Sequence, residues 1–175
     1  QSNQKGVKSA PLSRKGSPIF QSLSNSSQPL TTPFGASAFN DEQATRKHIC
    51  FRCPPSLADQ LNNIDSYMRH YIEKHSGRLF KGKKVTYKPL LVPQKDDYER
   101  LIRCKINTAG QKVVRCWDAD HSRCDLPEDL RGCTLVPRVQ FRSLWLMGDN
   151  CGITVDVTDL MIFPTNEECP FSSEE

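Results

Sequence analysis

Arg138-Val139-Gln140-Phe141-Arg142-Ser143-Leu144-Trp145-Leu146-Met147 is the stretch whose reading decides the fold. Side chains alternate along a strand. Val139, Phe141, Ser143, Trp145 and Met147 are therefore expected on one face, and Arg138, Gln140, Arg142, Leu144 and Leu146 on the other. Gly148-Asp149-Asn150-Cys151-Gly152 supplies a turn, after which Ile153, Val155 and Val157 alternate with Thr154, Asp156 and Thr158. Two β-rich runs about such a turn predict a long hairpin. Phe141 and Trp145 are candidate stacking rings, but they share a face with Val139 and Met147, which favours the core for both.

Working outward, Leu101–Ile106 alternates Ile102, Cys104 and Ile106 against Arg103 and Lys105. After the turn Asn107-Thr108-Ala109-Gly110-Gln111, the run Lys112–Trp117 places Val113, Arg115 and Trp117 on one face. A second hairpin is expected here. In it Arg103, Lys105, Arg115 and Trp117 could form one basic face, in a register the sequence does not fix. Residues 81–92 read as an edge strand, because Pro89 cannot donate to a ladder. Lys81, Lys83, Lys84 and Lys88 flank Tyr87 there, material for a phosphate track beside a stacking ring, or for an edge guarded by lysine. Pro54-Pro55-Ser56 opens a helix over 56–75, with Leu57, Leu61, Ile64, Met68, Tyr71 and Ile72 as its apolar stripe. Gly77 is expected as its left-handed C-cap.

The 175 residues allow one domain with extensions, at 37% hydrophobic content and a mean hydropathy of -0.57. Residues 1–45 are Ser-, Pro- and Gln-rich and are expected to be a disordered arm, with Phe20, Leu23, Leu30, Phe34 and Phe39 as short anchors. Residues 46–164 are the expected folded domain, and 165–175 a short acidic tail. The start, Gln1-Ser2-Asn3-Gln4-Lys5, has neither an initiator Met nor a signal pattern, and reads as that of a fragment or processed product. Net charge is +4, but residues 46–115 hold sixteen Lys/Arg against six Asp/Glu, and residues 116–175 hold four against twelve. A basic middle before an acidic end suggests a polyanion partner. No apolar run is long enough to span a membrane. Eight cysteines without a signal pattern read as reduced thiols in an intracellular protein.

Cys50-Phe51-Arg52-Cys53 with His48, and Cys116, His121 and Cys124, have the residue types of a zinc site, but one CxxC followed directly by Pro54-Pro55 favours unligated thiols. Asp118, Asp120, His121 and Asp125 read as a solvated acidic loop rather than a nuclease centre. No phosphate-binding, nucleophile-elbow or metalloprotease motif is present, and no cofactor or metal is expected. Nucleic-acid binding needs cations along a groove and flat rings that accept bases. The candidates are Lys81, Lys83, Lys84, Lys88, Arg103, Lys105, Lys112, Arg115, Arg138 and Arg142, with Tyr87 and Trp117 as the rings.

A helix, an edge strand, a hairpin, a short turn and a long hairpin match a mainly β chain with one packed helix. The expected architecture is a five-stranded, OB-like Greek-key barrel. Gly82-Lys83-Lys84, Tyr87-Lys88-Pro89, Leu101–Ile106, Leu126-Pro127-Glu128-Asp129-Leu130, Ser143-Leu144-Trp145 and Gly152-Ile153-Thr154-Val155, in that order, resemble the single-stranded-DNA-binding-type proteins of large nucleocytoplasmic DNA viruses. These are distantly similar to the single-stranded-DNA-binding protein of T7-like phages. The likeness spans roughly residues 56–163. It implies an OB-fold that binds single-stranded DNA non-catalytically in viral replication, recombination or repair, in the host nucleus or at a viral replication site. It also implies an acidic tail that contacts replication proteins. The tail here is short and lacks a terminal aromatic, and the Ser/Pro-rich arm has no counterpart. Further copies of the chain are also admissible partners. The rival reading is a virion assembly protein whose arm wraps neighbouring subunits.

Overall fold

The computed structural model describes residues 6–38, 43–93 and 99–164. Phe39 and the acidic tail over 165–175 lie outside the described residues. In chain order the elements are β1 (Lys8–Pro11), β2 (Ile19–Ser22), β3 (Leu30–Thr31), β4 (Ala36–Ser37), β5 (Arg46–Arg52), α1 (Pro55–Lys74), α2 (Ser76–Phe80), β6 (Thr86–Lys88), β7 (Leu101–Asn107), β8 (Arg115–Trp117), β9 (Arg123–Cys124), β10 (Thr134–Met147) and β11 (Asn150–Phe163). Among the described residues the chain is thus mainly β with two helices.

The expected long hairpin is the spine of the molecule, with β10 and β11 antiparallel from Thr134↔Phe163 to Met147↔Asn150. One edge of β11 takes β6, β7 and β8 in succession, all parallel to it. The outer edge of β7 takes β5 antiparallel, and β5 takes β4. The other edge of β10 takes β1, β2 and β3. The result is an open, mixed sheet of eleven strands, not five. The expected hairpin of Leu101–Ile106 with Lys112–Trp117 does not form, because β7 and β8 both pair with β11 instead.

Within the expected disordered arm, β1, β2 and β3 pair with β10 of the hairpin, and β4 pairs with β5. Backbone pairing to β10 supplies the contacts that its composition lacks. Leu23 and Leu30 are buried anchors at 6% and 2% exposure, whereas Phe20 and Phe34 stay exposed. Asn25 Oδ1 accepts from the backbone N–H groups of Ser27 and Gln28, closing one of the arm's turns.

One core unites Ile49 and Phe51 of β5, Ile102, Cys104 and Ile106 of β7, Leu135 and Val139 of β10, and Val155, Val157 and Leu160 of β11. Leu57, Ala58 and Leu61 of α1 pack onto it. Further along α1, Ile72 packs with Tyr87 and Cys151. Pro55 begins α1, where a missing N–H costs nothing. Its end departs from expectation: the helix stops at His75, Gly77 falls inside α2, and the left-handed cap is Lys81 at φ 54°. No helix among the described residues is long and apolar enough to cross a membrane.

Candidate nucleic-acid interface

Cross-strand partners share a face, so the pairing registers sort the side chains. Ile49, Phe51, Ile102, Cys104, Ile106, Val155 and Val157 point inward. The outward rows are then Cys50 with Arg103, and His48 with Lys105, Asp156 and Gln140. Arg46 with Asn107 makes another row, and Arg115, Asp159 and Arg138 make a fourth. Lys88, Gly152 and Trp145 form a fifth.

Two irregularities in β10–β11 set this face. The first, between Arg138 and Val139, lets Asp156 and Asp159 both point outward although three residues apart. The second, between Phe141 and Ser143, inserts Arg142 as an extra residue. A one-residue insertion reverses every later side chain on its strand. Hence Leu144 and Leu146 turn inward to pack beside Ile72 and Cys151. Trp145, expected in the core, turns outward and lies flat over Gly152, where a Cβ would meet the indole at 2.8 Å. Phe141 remains against the core.

The electrostatics of this face are those of cations held close together. Asp156 is 3% exposed. It pairs with Arg46 at 2.8 Å and with Arg142 at 2.8 Å. Lys105 Nζ lies 3.0 Å from His48 Nε2. Burial lowers the His48 pKa below 6.5, and Lys105, Arg103 and Arg46 push it further down. Burial and Arg46 likewise lower Lys105, against the pull of Asp156. Asp159 is the second anion. Burial opposes its ionisation, but donors from Trp117, Thr158 and Arg115 outweigh burial and hold its pKa below 3.8. Trp117 Nε1 donates to Asp159 at 3.2 Å, and Arg115 pairs with Asp159 at 2.8 Å. The Arg123 guanidinium stands 5.2 Å from the Trp117 ring, and that of Arg138 stands 4.3 Å from the Phe20 ring. Arg46, Arg103, Lys105, Arg115, Arg123, Arg138 and Arg142 thus share one outward surface with two carboxylates and the rings of Phe20, Trp117 and Trp145. Such a surface can hold a flexible polyanion and stack flat groups against it.

Of the sequence-derived candidates, Lys88, Arg103, Lys105, Arg115, Trp117, Arg138 and Arg142 come together here. Lys112 sits in the turn between β7 and β8, off the ladders. Lys81, Lys83 and Lys84 follow α2, and Lys83 pairs with Asp149 at the tip of the β10–β11 hairpin, 2.8 Å away. Tyr87, expected as a stacking ring, is 5% exposed, and its hydroxyl donates to the buried Asp65 at 2.8 Å. The same carboxylate accepts from Leu90 N–H at 2.8 Å. Tyr87 therefore anchors β6 to α1 and offers no ring to a base. Arg46, His48, Phe20, Arg123 and Asp156 share this face without being among those candidates, and Trp145, favoured for the core, joins them; the alternation of Arg46, His48 and Cys50 with Lys47, Ile49 and Phe51 is the signal that finds β5.

Among the described residues the cysteines at 50, 53, 104, 116, 124, 133 and 151 are free. Cys53 is buried, and its thiol is pushed up to about 12 by that burial. No group of three or more His, Cys, Asp or Glu among the described residues could hold a metal ion. Asp118 instead accepts from the N–H groups of Asp120 and Ser122, closing the β8–β9 turn.

No family model matches the chain, and no curated protein does. Solved structures do. The chain resembles gp2.5, a single-stranded DNA binding protein encoded by bacteriophage T7, with a TM-score of 0.50 and 11% identity over 85% of this chain and 99% of that one. It resembles a C-terminal truncation of the single-stranded DNA-binding protein of bacteriophage Enc34, with a TM-score of 0.52 and 11% identity over 91% of this chain and 97% of that one. At this identity the likeness establishes a shared fold, and the chain has the fold of these phage single-stranded DNA-binding proteins.

Proposed function

We propose that this chain is a non-catalytic protein that binds single-stranded DNA with little sequence preference, in viral DNA replication, recombination or repair. The observation that carries the reading is the outward sheet face, where Arg46, Arg103, Lys105, Arg115, Arg138 and Arg142 meet with Asp156 and Asp159 as their paired anions. The cations of such a surface neutralise phosphates and release the counterions condensed on the strand, and Trp117 and Trp145 accept bases without reading them. The two phage proteins of the same fold are single-stranded DNA-binding proteins, which supports the assignment.

In the OB-type reading, β5, β7, β11, β10 and the arm strand β3, which lies against β5, make the barrel wall. The motif series from Gly82 to Val155 supports a place among the proteins of large nucleocytoplasmic DNA viruses, with work in the host nucleus or at a viral replication site. The acidic tail over 165–175 then serves replication partners. The assembly reading is not favoured, because the described arm lies along its own β10 rather than reaching outward. The test is titration of an oligo-dT against intrinsic tryptophan fluorescence at low salt. Binding that is lost in R103A/R115A supports the proposal, and absence of binding by the native chain removes it.

A further inference from the structure

The sheet face leaves one basic segment unused. From Ser66 to Lys88 the chain holds seven Lys/Arg and one carboxylate, Glu73. Lys88 belongs to the outward face; Arg69 faces the Tyr87 ring. Lys74, Arg78, Lys81, Lys83 and Lys84 remain, on the last turn of α1, on α2 and in the following loop, all exposed. Beside them runs an aromatic ladder on the solvent side of α1. Tyr67 stacks on Tyr71 with centroids 6.1 Å apart, and the His75 ring stands tilted by 45° against Tyr71 with centroids 4.4 Å apart. Tyr67 is 65% exposed, and Ile64 next to it is 36% exposed. Arg78 donates to the Tyr71 hydroxyl at 2.9 Å, which ties the cations of α2 to the ladder of α1.

A helix dipole accounts for only part of this. One or two cations in the last turn satisfy it, whereas five cations and a ring ladder that begins at the exposed Tyr67 exceed that need. A core role is closed to Tyr67, since α1 buries its opposite side through Leu57, Leu61, Asp65 and Ile72.

We infer that the ladder Tyr67–Tyr71–His75 and the cations Lys74, Arg78, Lys81 and Lys84 form a second binding surface for single-stranded nucleic acid, independent of the sheet face. Charge complementarity selects the occupant, a phosphodiester strand whose bases lie on Tyr67. The inference rests on the sheet-face reading but concerns another side of the molecule. Ile72 of α1 packs on Tyr87 and Cys151, which point inward. Lys88 and Gly152, their chain neighbours, point outward with Trp145. The two surfaces therefore lie back to back, with α1, about 10–12 Å across, and the sheet between them. One chain can hold two strands, or two parts of one strand, at once.

The test counts oligonucleotides. Native mass spectrometry of the full chain is run with an oligo-dT of about 8 nucleotides, short enough to occupy one surface. Three proteins are compared: the native chain, the helix variant Tyr67→Ala/Lys74→Gln/Arg78→Gln/Lys84→Gln, and the sheet variant R103A/R115A. The expected native stoichiometry is two oligonucleotides per chain, the second weaker. The helix variant keeps the first and weakens the second by at least about tenfold, as expected when several phosphate contacts go. Retention of the first site also reports that the variant is folded. A native stoichiometry of one lost in the sheet variant overturns this inference and spares the sheet-face reading. A single site lost in the helix variant and untouched in the sheet variant overturns the sheet-face reading and the claim of two surfaces. Two sites that survive in the helix variant overturn the inference, as does a native mass of two chains that falls to one in Y67A, which assigns the ladder to self-association.

Discussion

Gly152→Ala places a methyl group where the Trp145 indole now lies. The added Cβ would sit 2.8 Å from the indole Cζ2 and 3.0 Å from its Nε1, so the ring must lift or the two strands must part. The backbone at Gly152 is not in the left-handed region. Alanine therefore gains about 0.4–1 kcal/mol by restricting the unfolded chain. Overpacking a fitted contact costs about 1–3 kcal/mol, so the net loss is at most about 2.6 kcal/mol. At about 2–4 °C per kcal/mol for a chain of this size, Tm falls by up to about 10 °C. If Trp145 stacks on a base, tilting the ring removes about 1–3 kcal/mol of binding, or about 5- to 150-fold in Kd. Fluorescence anisotropy of labelled oligo-dT measures the binding, and a melt by circular dichroism measures the stability. W145A should lose as much affinity as G152A, and the double variant should lose little more, because both act through one ring. If W145A binds oligo-dT as tightly as the native chain, then the outward indole is structural and the reasoning fails.

His48 gives a pH dependence. Its pKa lies below 6.5 because burial and the cations Lys105, Arg103 and Arg46 favour the neutral ring. Phosphates laid on the face raise that value, so binding takes up a proton and affinity grows as pH falls through the bound-state pKa; H48A should flatten this rise, measured by anisotropy across pH. Asp156→Asn leaves Arg46 and Arg142 without their buried anion. It should cost about 1–3 kcal/mol in denaturant unfolding, discounted because both arginines are partly exposed, and it should tighten oligo-dT at low salt. Tyr87→Phe removes the hydroxyl that donates to Asp65; stability should fall by about 1 kcal/mol while oligonucleotide affinity holds, and a large loss of affinity would reinstate Tyr87 as a stacking ring.

The long hairpin, the helix and the inward set Ile102, Cys104 and Ile106 were legible because periodicity alone encodes them. Arg103, Lys105, Arg115 and Arg138 could be listed as cations, but their convergence depends on β7 and β8 both adding to β11. Strand pairing of that kind joins residues about fifty apart, and backbone hydrogen bonds carry no sequence label. Trp145 was misplaced by the single inserted residue Arg142, which no alternation rule can locate. Tyr87 was misplaced because its partner Asp65 lies on α1, and a buried hydroxyl is acceptable only once that acceptor is known. β5 is hard to see in the sequence because Cys50-Phe51-Arg52-Cys53 fits a metal-ligand spacing as well as the end of an alternating strand. Low apolar content is a guide to burial and says nothing of the backbone pairing by which β10 holds β1 and β2.

The salt dependence of oligo-dT binding probes most directly the idea that cations from separate strands act on one strand of DNA. A single phosphate contact contributes about 0.7 to the slope of log K against log salt for single strands. Arg103→Ala and Arg115→Ala, from β7 and β8, should each flatten the slope by about that amount, and together by about twice as much. Slopes that match the native chain in both single variants and in the pair would contradict the account.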